Sequence, residues 1–468
     1  MTTLQDDNRS EKTLRGVLET CADCDTCRFL MDDSCLFFPE LYRLYDKQQE
    51  AGIPVSQNEL QRLSELCTLC GLCPCPDIPA GVIRGKTERV RRQGVPLAID
   101  LLADVQRFGR WCGWMPGLTN LALKFPPIAG AAKRLAGIHP RRRLPAIAPH
   151  HFFAWARRNG LDRHPDSSPK AAYFAGCTAG YLFPEVARAA VAVMHHNGIA
   201  VFVPPQQCCG MPTLVEGDQR TTLDRVRFNL DSLLETVSNG YDLVCSCPTC
   251  GFLMKVLLKQ RACYSPAYQH SVQAGLDEIK IPSRGSGITG FISLKRSTYQ
   301  NLLKDDGYFA AIDPLARIAL SDSVMDMGEY LGRLLREGRL NTGFGGVEGR
   351  MVYFAPCHQR EQGIGNPYEA VLSRIPGLIV ERVGGAMDCC GMGGSLGLKK
   401  TFHEASIRLG SPVIEKIRSA EPQAIITDCL SCRLQFTHLL PYPVLHPLEI
   451  ISRSYAAVCD CNQPSFSR

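Results

Sequence analysis

Hydrophobic positions along this chain fall into two long stretches that repeat one rhythm. In residues 168–262 the apolar run AAYFAG reads as a short buried strand ending at Cys177. PEVARAAVAVMHHNG has apolar residues at helical spacing and stops at Gly198, a helix terminator. IAVFVP is a second strand, followed by QQCCG. Residues 348–455 give MVYFAP, NPYEAVLSRIPG, LIVERV and MDCCG in the same order. Strand, helix, strand with so short a crossover predicts parallel pairing in a right-handed βαβ unit. YDLVCS and QAIITDC read as further buried strands, each delivering a CxxC at its carboxyl end, where open α/β sheets place ligand sites.

The thiols follow the same repeat. Cys177, Cys208, Cys209, Cys247 and Cys250 stand in the first stretch, and Cys357, Cys389, Cys390, Cys429 and Cys432 in the second. The first thiol and the adjacent pair are separated by 31 residues in one copy and 32 in the other. Five thiols in one order at nearly one spacing describe two copies of a cluster-binding module. Gly210 and Gly391 directly follow the paired cysteines. They are read as points of close backbone approach to a bound cluster, with amide N–H groups toward its sulfurs, against the plainer reading of turn glycines. Cys245 has Thr427 at its matching place, which argues against its being required.

Outside the copies, residues 15–95 carry eight cysteines in two groups. Cys21, Cys24 and Cys27 stand at two-residue gaps with Cys35 beyond, and Cys67, Cys70 and Cys73 stand likewise with Cys75 beyond. Three thiolates at CxxCxxC spacing can hold three irons of a cubane, the fourth ligand coming from afar. By the two-cluster ferredoxin rule, Cys75 joins Cys21, Cys24 and Cys27, and Cys35 joins Cys67, Cys70 and Cys73. Both fourth cysteines depart from the usual spacing, the first too distant and the second too near. Structural zinc, which also takes four cysteines, is the alternative occupant.

Residues 96–160 read as a basic, apolar linker and residues 263–345 as an inter-domain segment. Within the linker, the stretch from Arg107 to Arg143 mixes Trp111 and Trp114 with a basic finish, Arg141 to Arg143. Apolar and cationic groups together suit an anionic membrane surface or a partner groove; a helix packed on the clusters is the alternative. Cys112 and Cys263 read as buried or incidental thiols, and Cys459 with Cys461 as part of a frayed tail. His358 and His403, the histidines nearest the cysteine motifs, read as hydrogen-bonding or core residues rather than ligands.

Composition narrows the class. With 468 residues, 45% hydrophobic and 21% charged, the chain has room for about three globular domains. The 23 cysteines are the outlier. The polar start MTTLQDDNRSEK shows no export signal, so the thiols are expected to hold metal rather than disulfides, in the cytoplasm or on the cytoplasmic face of the inner membrane. A net charge of +6 is mild and argues against a nucleic-acid partner. No GxGxxG with an acidic ribose reader appears, so the chain itself is expected to bind neither FAD nor NAD.

The doubled C…CCG…CxxC pattern resembles the cysteine-rich (CCG) domain of heterodisulfide reductase and its relatives. A ferredoxin-like start before two such domains, with LKFPPIAGAAKRLAGIHPRRRLP, HNGIAVFVPPQQCCGMPTLVEGD and GLKKTFHEASIRLGSPV, is similar to the branch that holds the C subunit of anaerobic glycerol-3-phosphate dehydrogenase. The resemblance implies two duplicated α/β CCG domains behind an α-helical, ferredoxin-like domain with two 4Fe–4S clusters. It implies one or two further 4Fe–4S clusters in the CCG domains, of noncubane form in heterodisulfide reductase, with zinc the alternative in one copy. It also implies an iron–sulfur electron-transfer subunit of an oxidoreductase. Such a subunit takes electrons from an FAD-dependent dehydrogenase and passes them to a quinone or a disulfide.

Overall fold

The computed structural model describes residues 2–113, 115–273, 278–282, 291–295 and 304–461. Trp114 lies outside these, and the side chains of Cys112, Cys459 and Cys461 are outside the description. As far as residue 113 the chain is helical. Thr2–Cys24, Phe37–Ala51, Gln57–Glu65 and Asp77–Gln93 pack around Leu18, Phe38, Leu41, Leu60 and Val82, all buried. Ser56 and Glu59 close a capping box at the start of Gln57–Glu65. Gly81 and Gly85 let Thr2–Cys24 lie against Asp77–Gln93, since a Cβ at either would press into Val17 or Leu14.

Two four-stranded parallel sheets follow. The first contains β1 (Lys170–Phe174), β2 (Ala200–Phe202) and β3 (Asp242–Cys245). A two-stranded antiparallel ribbon, β4 (Glu278–Pro282) and β5 (Phe291–Lys295), stands apart from it. β6 (Val324–Asp326) then completes the first sheet in the order β2-β1-β3-β6. The second sheet is built from β7 (Gly349–Tyr353), β8 (Leu378–Arg382), β9 (Ala424–Ile426) and β10 (Val444–Leu445), in the order β8-β7-β9-β10. The two sheets have the same topology, and β6 of the first corresponds to β10 of the second. The sequence reading placed β6 and the helix behind it, Met327–Arg336, in the segment 263–345; they are instead the last quarter of the first repeat. Val324–Asp326 has only two apolar residues and no cysteine motif after it, so no apolar run marks it in the sequence. The second repeat also departs from its expected helix. Pro367 and the Pro376–Gly377 pair leave one short turn, Glu369–Leu372, where the first repeat has Pro184–His196.

Strand side chains alternate between two cores. Ala171, Tyr173 and Val244 share one apolar cluster with Met351, Tyr353 and Ile426, so one face of each sheet looks toward the other repeat. Ala172, Phe174 and Leu243 face the cluster that includes the N-terminal helices. Val352, Phe354 and Ile425 face a smaller one with Val413 and Phe436. Among the described residues, no helix is long and apolar enough to cross a membrane.

Candidate metal centres

The carboxyl ends of β1 and β3 open into loops that bring the first five thiols together. Cys177 follows β1, Cys247 and Cys250 follow β3, and Cys208 with Cys209 sit in the loop after β2. Cys208 Sγ lies 3.3 Å from Cys177 Sγ. Cys209 touches Cys208 and Cys250, and Cys250 touches Cys247. All five are buried. Neighbouring S–H donors, Cys177 first, hold Cys208 well below the ordinary thiol range, while Cys177 and Cys250 are pushed up as donors and by burial. Asn229 grips this loop, accepting from Gln207 N and donating to Cys208 O. A Cβ on Gly176 (φ 68°) would lie 2.9 Å from Cys250 Sγ, so glycine lets the backbone pass beside the sulfurs.

The second repeat builds the same set. Cys432 Sγ is 3.1 Å from Cys390 Sγ, with Cys389 and Cys429 in contact and Cys357 close by. Cys390 is held low by donation from Cys389 and Cys432, while burial pushes Cys357 up to about 12. The amides of Gly210 and Gly391 point at Cys208 and Cys389 Sγ, the latter at 3.3 Å. Their missing Cβ atoms face elsewhere, toward Thr222 and toward the backbone of Ser406. Cys245 is fully buried beneath the first set, its Sγ 4.0 Å from Cys247 O.

The N-terminal cysteines form two further sets. Cys21 is pushed up to about 12 by burial and by the charges of Cys27, Cys75 and Cys24, the last two exposed. Cys35 is raised to about 12 by burial and by Cys70 and Cys67, and Cys73 is raised by burial and by Cys67, Cys70 and Cys35. Cys27 also acts on Cys73, and Cys357 on Cys70, and Gly71 beside Cys70 packs against Glu361 of the second repeat. Left-handed backbone at Leu69 (φ 54°) and Gly71 (φ 89°) wraps the loop around its three thiols.

Each repeat keeps a buried guanidinium beside its low thiol. Arg225, 7% exposed, acts on Cys208, and its Nη1 has no partner. Arg142 is fully buried in the second repeat, bonded to Gln435, Gly397 and Ser406, with Nε unpartnered and Cys390 acting on it. Thus one member of the basic finish Arg141 to Arg143 is interior, and Arg141 pairs with Glu404. Sequence reasoning missed both roles, because a lone arginine carries no motif. His139, His403 and Glu404 place one ligand atom each within 4.8 Å of one another. Their two imidazole rings are cofacial at 3.8 Å, however, so the in-plane lone pairs run side by side and do not converge.

Together these features define a chain with two cysteine-rich domains. The family model described as the cysteine-rich domain (CCG) matches residues 171–255 and 351–437. Across 341 residues the chain is 22% identical to the C subunit of anaerobic glycerol-3-phosphate dehydrogenase from Escherichia coli (strain K12), covering 72% of each. It is 25% identical over 293 residues to the B subunit of fumarate reductase (CoM/CoB) from Methanothermobacter marburgensis, covering 61% of this chain and 46% of that one. It is 23% identical over 291 residues to lactate utilization protein A 2 of Bacillus cereus (strain Q1), covering 61% of this chain and 98% of that one.

Proposed function

We propose that this chain is an iron–sulfur electron-transfer subunit of a dehydrogenase or reductase complex. The observation that carries the reading is the gathering of eighteen cysteines into four sets, with every described cysteine free of disulfides. Unpartnered guanidinium nitrogens beside Cys208 and Cys390 fit a group that brings negative charge. Cys21, Cys24, Cys27 and Cys75 would hold one 4Fe–4S cluster, and Cys35, Cys67, Cys70 and Cys73 the other. Cys177, Cys208, Cys209, Cys247 and Cys250, and the matching five from Cys357 to Cys432, would hold one further 4Fe–4S cluster per repeat. Zinc in one repeat is the variant of this reading. When bound, the clusters supply one-electron transfer. The protein buries the first-repeat thiols and most of the second-repeat ones, and leaves Cys24 and Cys75 of the first N-terminal set exposed. It aims backbone N–H groups at ligand sulfurs and sets cations beside Cys208 and Cys390.

The donor in this reading is an FAD-dependent dehydrogenase of glycerol 3-phosphate or a 2-hydroxy acid, and the acceptor is a quinone. The Escherichia coli relative is named as part of a glycerol-3-phosphate dehydrogenase. A second reading, in which the chain itself reduces a disulfide, is favoured by the completeness of both five-thiol sets. Protein purified without air, with its flavoprotein, should be brown and carry about 16 irons per chain. It should reduce menaquinone analogues only with the flavoprotein present. Turnover of a disulfide by the chain alone would select the second reading, and a colourless, zinc-loaded protein would sink both.

The linker supplies a docking face in this scheme, on the cytoplasmic side of the membrane. Trp111, Met115, Leu118, Leu121, Phe125 and Ile128 are each more than half exposed. Residues 105–161 contain no Asp or Glu, while Arg110, Lys124 and Arg134 stand among the apolar positions. Such a face suits an anionic lipid surface. Leu118→Glu with Leu121→Glu should abolish flotation with anionic vesicles and leave iron content unchanged; unchanged flotation would remove the membrane from the scheme.

A further inference from the structure

Three cysteine-bearing loops from three parts of the chain meet at one imidazole. His358 follows Cys357 in the second repeat. Its Nε2 lies 2.9 Å from the carbonyl of Leu69, between Cys67 and Cys70 of the N-terminal region. Its Nδ1 lies 3.0 Å from the hydroxyl of Thr249, between Cys247 and Cys250 of the first repeat. A carbonyl only accepts, so Nε2 carries the proton, and Nδ1 accepts from Thr249. The ring also stacks on Phe252 of the first repeat, centroids 4.7 Å apart and 9° from parallel.

The loops pack so closely here that three glycines leave no room for a side chain between them. A Cβ on Gly71 would meet Glu361 at 2.6 Å and Phe252 at 3.1 Å; one on Gly251 would meet Gln362 at 2.7 Å. A Cβ on Gly393 would meet Thr68 at 2.6 Å. Gln362 ties the junction again, its Nε2 donating to Pro248 O and His358 O, each at 3.0 Å. The backbone links run on to the thiols themselves. The amide of Leu69 points at Cys67 and that of Thr249 at Cys247. A continuous bonded route therefore joins Cys67, Leu69, His358, Thr249 and Cys247. The second repeat reaches the same loop without that bridge, because Glu361, four residues after Cys357, packs against Gly71 beside Cys70.

We propose that His358 is a positioning residue that makes the Cys35, Cys67, Cys70 and Cys73 set a branch point, from which both five-thiol sites exchange electrons in parallel. This rests on the iron–sulfur reading above. In each exchange one electron leaves the group held by the N-terminal set, which is oxidised, and enters the group held by a repeat, which is reduced. No proton or bond changes hands, and the electron originates in the flavoprotein donor. The alternative wiring is serial, with the first repeat fed only through the second.

The test uses the full-length, iron-loaded chain reduced by its flavoprotein and frozen at intervals, with each cluster followed by its electron paramagnetic resonance signal. His358→Ala and Thr249→Val should keep wild-type iron content. Both should slow reduction of the first-repeat signal several-fold relative to the second-repeat signal, and weaken the magnetic coupling between that site and the N-terminal set. His358→Gln, which can donate to Leu69 O and accept from Thr249, should restore both. A loaded His358→Ala protein with unchanged rates and coupling overturns the branch point, as does equal slowing of both repeats. Loss of iron from the N-terminal set in that variant would make His358 a structural prop and also overturn it. A wild-type chain without iron would instead sink the iron–sulfur reading itself.

Discussion

Gly210 and Gly391 hold the same place in the two repeats, yet their surroundings differ. Both have left-handed backbone, φ 101° and 83°. At Gly210 a side chain would come within 3.3 Å of the Thr222 methyl, which can yield a little. At Gly391 it would run into the carbonyl of Ser406 and come 2.8 Å from Gly410 N, both backbone atoms of one helix. Gly210→Ala should therefore cost about 1 kcal/mol, the ordinary penalty for a non-glycine residue in this region. Gly391→Ala must also move the helix His403–Ala420, so its cost should be clearly larger. Denaturant unfolding of the two variants compares them, and equal losses would show that the helix moves freely. Sequence alone marked both glycines through their neighbours Cys209 and Cys390. It could not separate them, because the difference lies in a helix packed from elsewhere in the chain.

Among elements, the fourth strands show how far duplication extends past the cysteines. β6 ends at Asp326 and β10 is followed by His446, and each residue caps the next helix with a glutamate three places on. Asp326 Oδ1 accepts from Gly328 N and its own N–H donates to Glu329; His446 Nδ1 accepts from Leu448 N and its N–H donates to Glu449. His446 Nε2 also reaches Ser246 O across the interface between repeats. Both caps are fully buried, which moves their titrations in opposite chemical senses. Burial lifts Asp326 from 3.8 to about 6, and lowers His446 from 6.5 to about 3.

The raised carboxyl has a signed consequence. Below the unfolded value both states are protonated and no penalty exists. As pH rises from about 4 to about 6, the unfolded chain has released a proton that the folded chain still holds, so stability falls; above that the loss is constant, on the order of 3 kcal/mol. Asp326→Asn keeps a capping oxygen, so it should stabilise the protein at pH near 7 and have little effect near pH 3.5. Thermal unfolding at both values checks this, and a gain independent of pH would refute it. His446 acts at the acid end: as pH falls from about 6.5 to about 3, the unfolded chain takes up a proton that the folded imidazole does not, so stability falls across that window. The strands that carry cysteines were legible because four or five apolar residues run into a thiol motif. β6 and β10 have three and two residues, and they become visible only as hydrogen-bonded neighbours of β3 and β9.

On the scale of the whole molecule, the three cysteine-bearing parts are held by buried charge as well as by apolar packing. Glu216, just past the paired cysteines of the first repeat, bonds Lys399 of the second at 2.7 Å and Ser395 beside it. Lys86 of the N-terminal helices, 2% exposed, donates to Cys67 O and Val215 O and lies close enough to act on Glu216. Burial opposes the carboxylate, and the two lysines outweigh it, holding Glu216 below its ordinary range. None of this could be read along the sequence, since Lys86, Glu216 and Lys399 are far apart and none sits in a motif. Breaking a buried pair from one side strands the remaining charges, at a cost of about 3–5 kcal/mol. Glu216→Gln should therefore destabilise the chain by an amount in that range, and the loss should appear in the N-terminal region and both repeats together. Amide hydrogen exchange across the helix Asp77–Gln93, β3 and β9 reads all three at once. Faster exchange confined to the first repeat would show that Glu216 stabilises only its own domain, and that the junction of the four thiol sets does not depend on it.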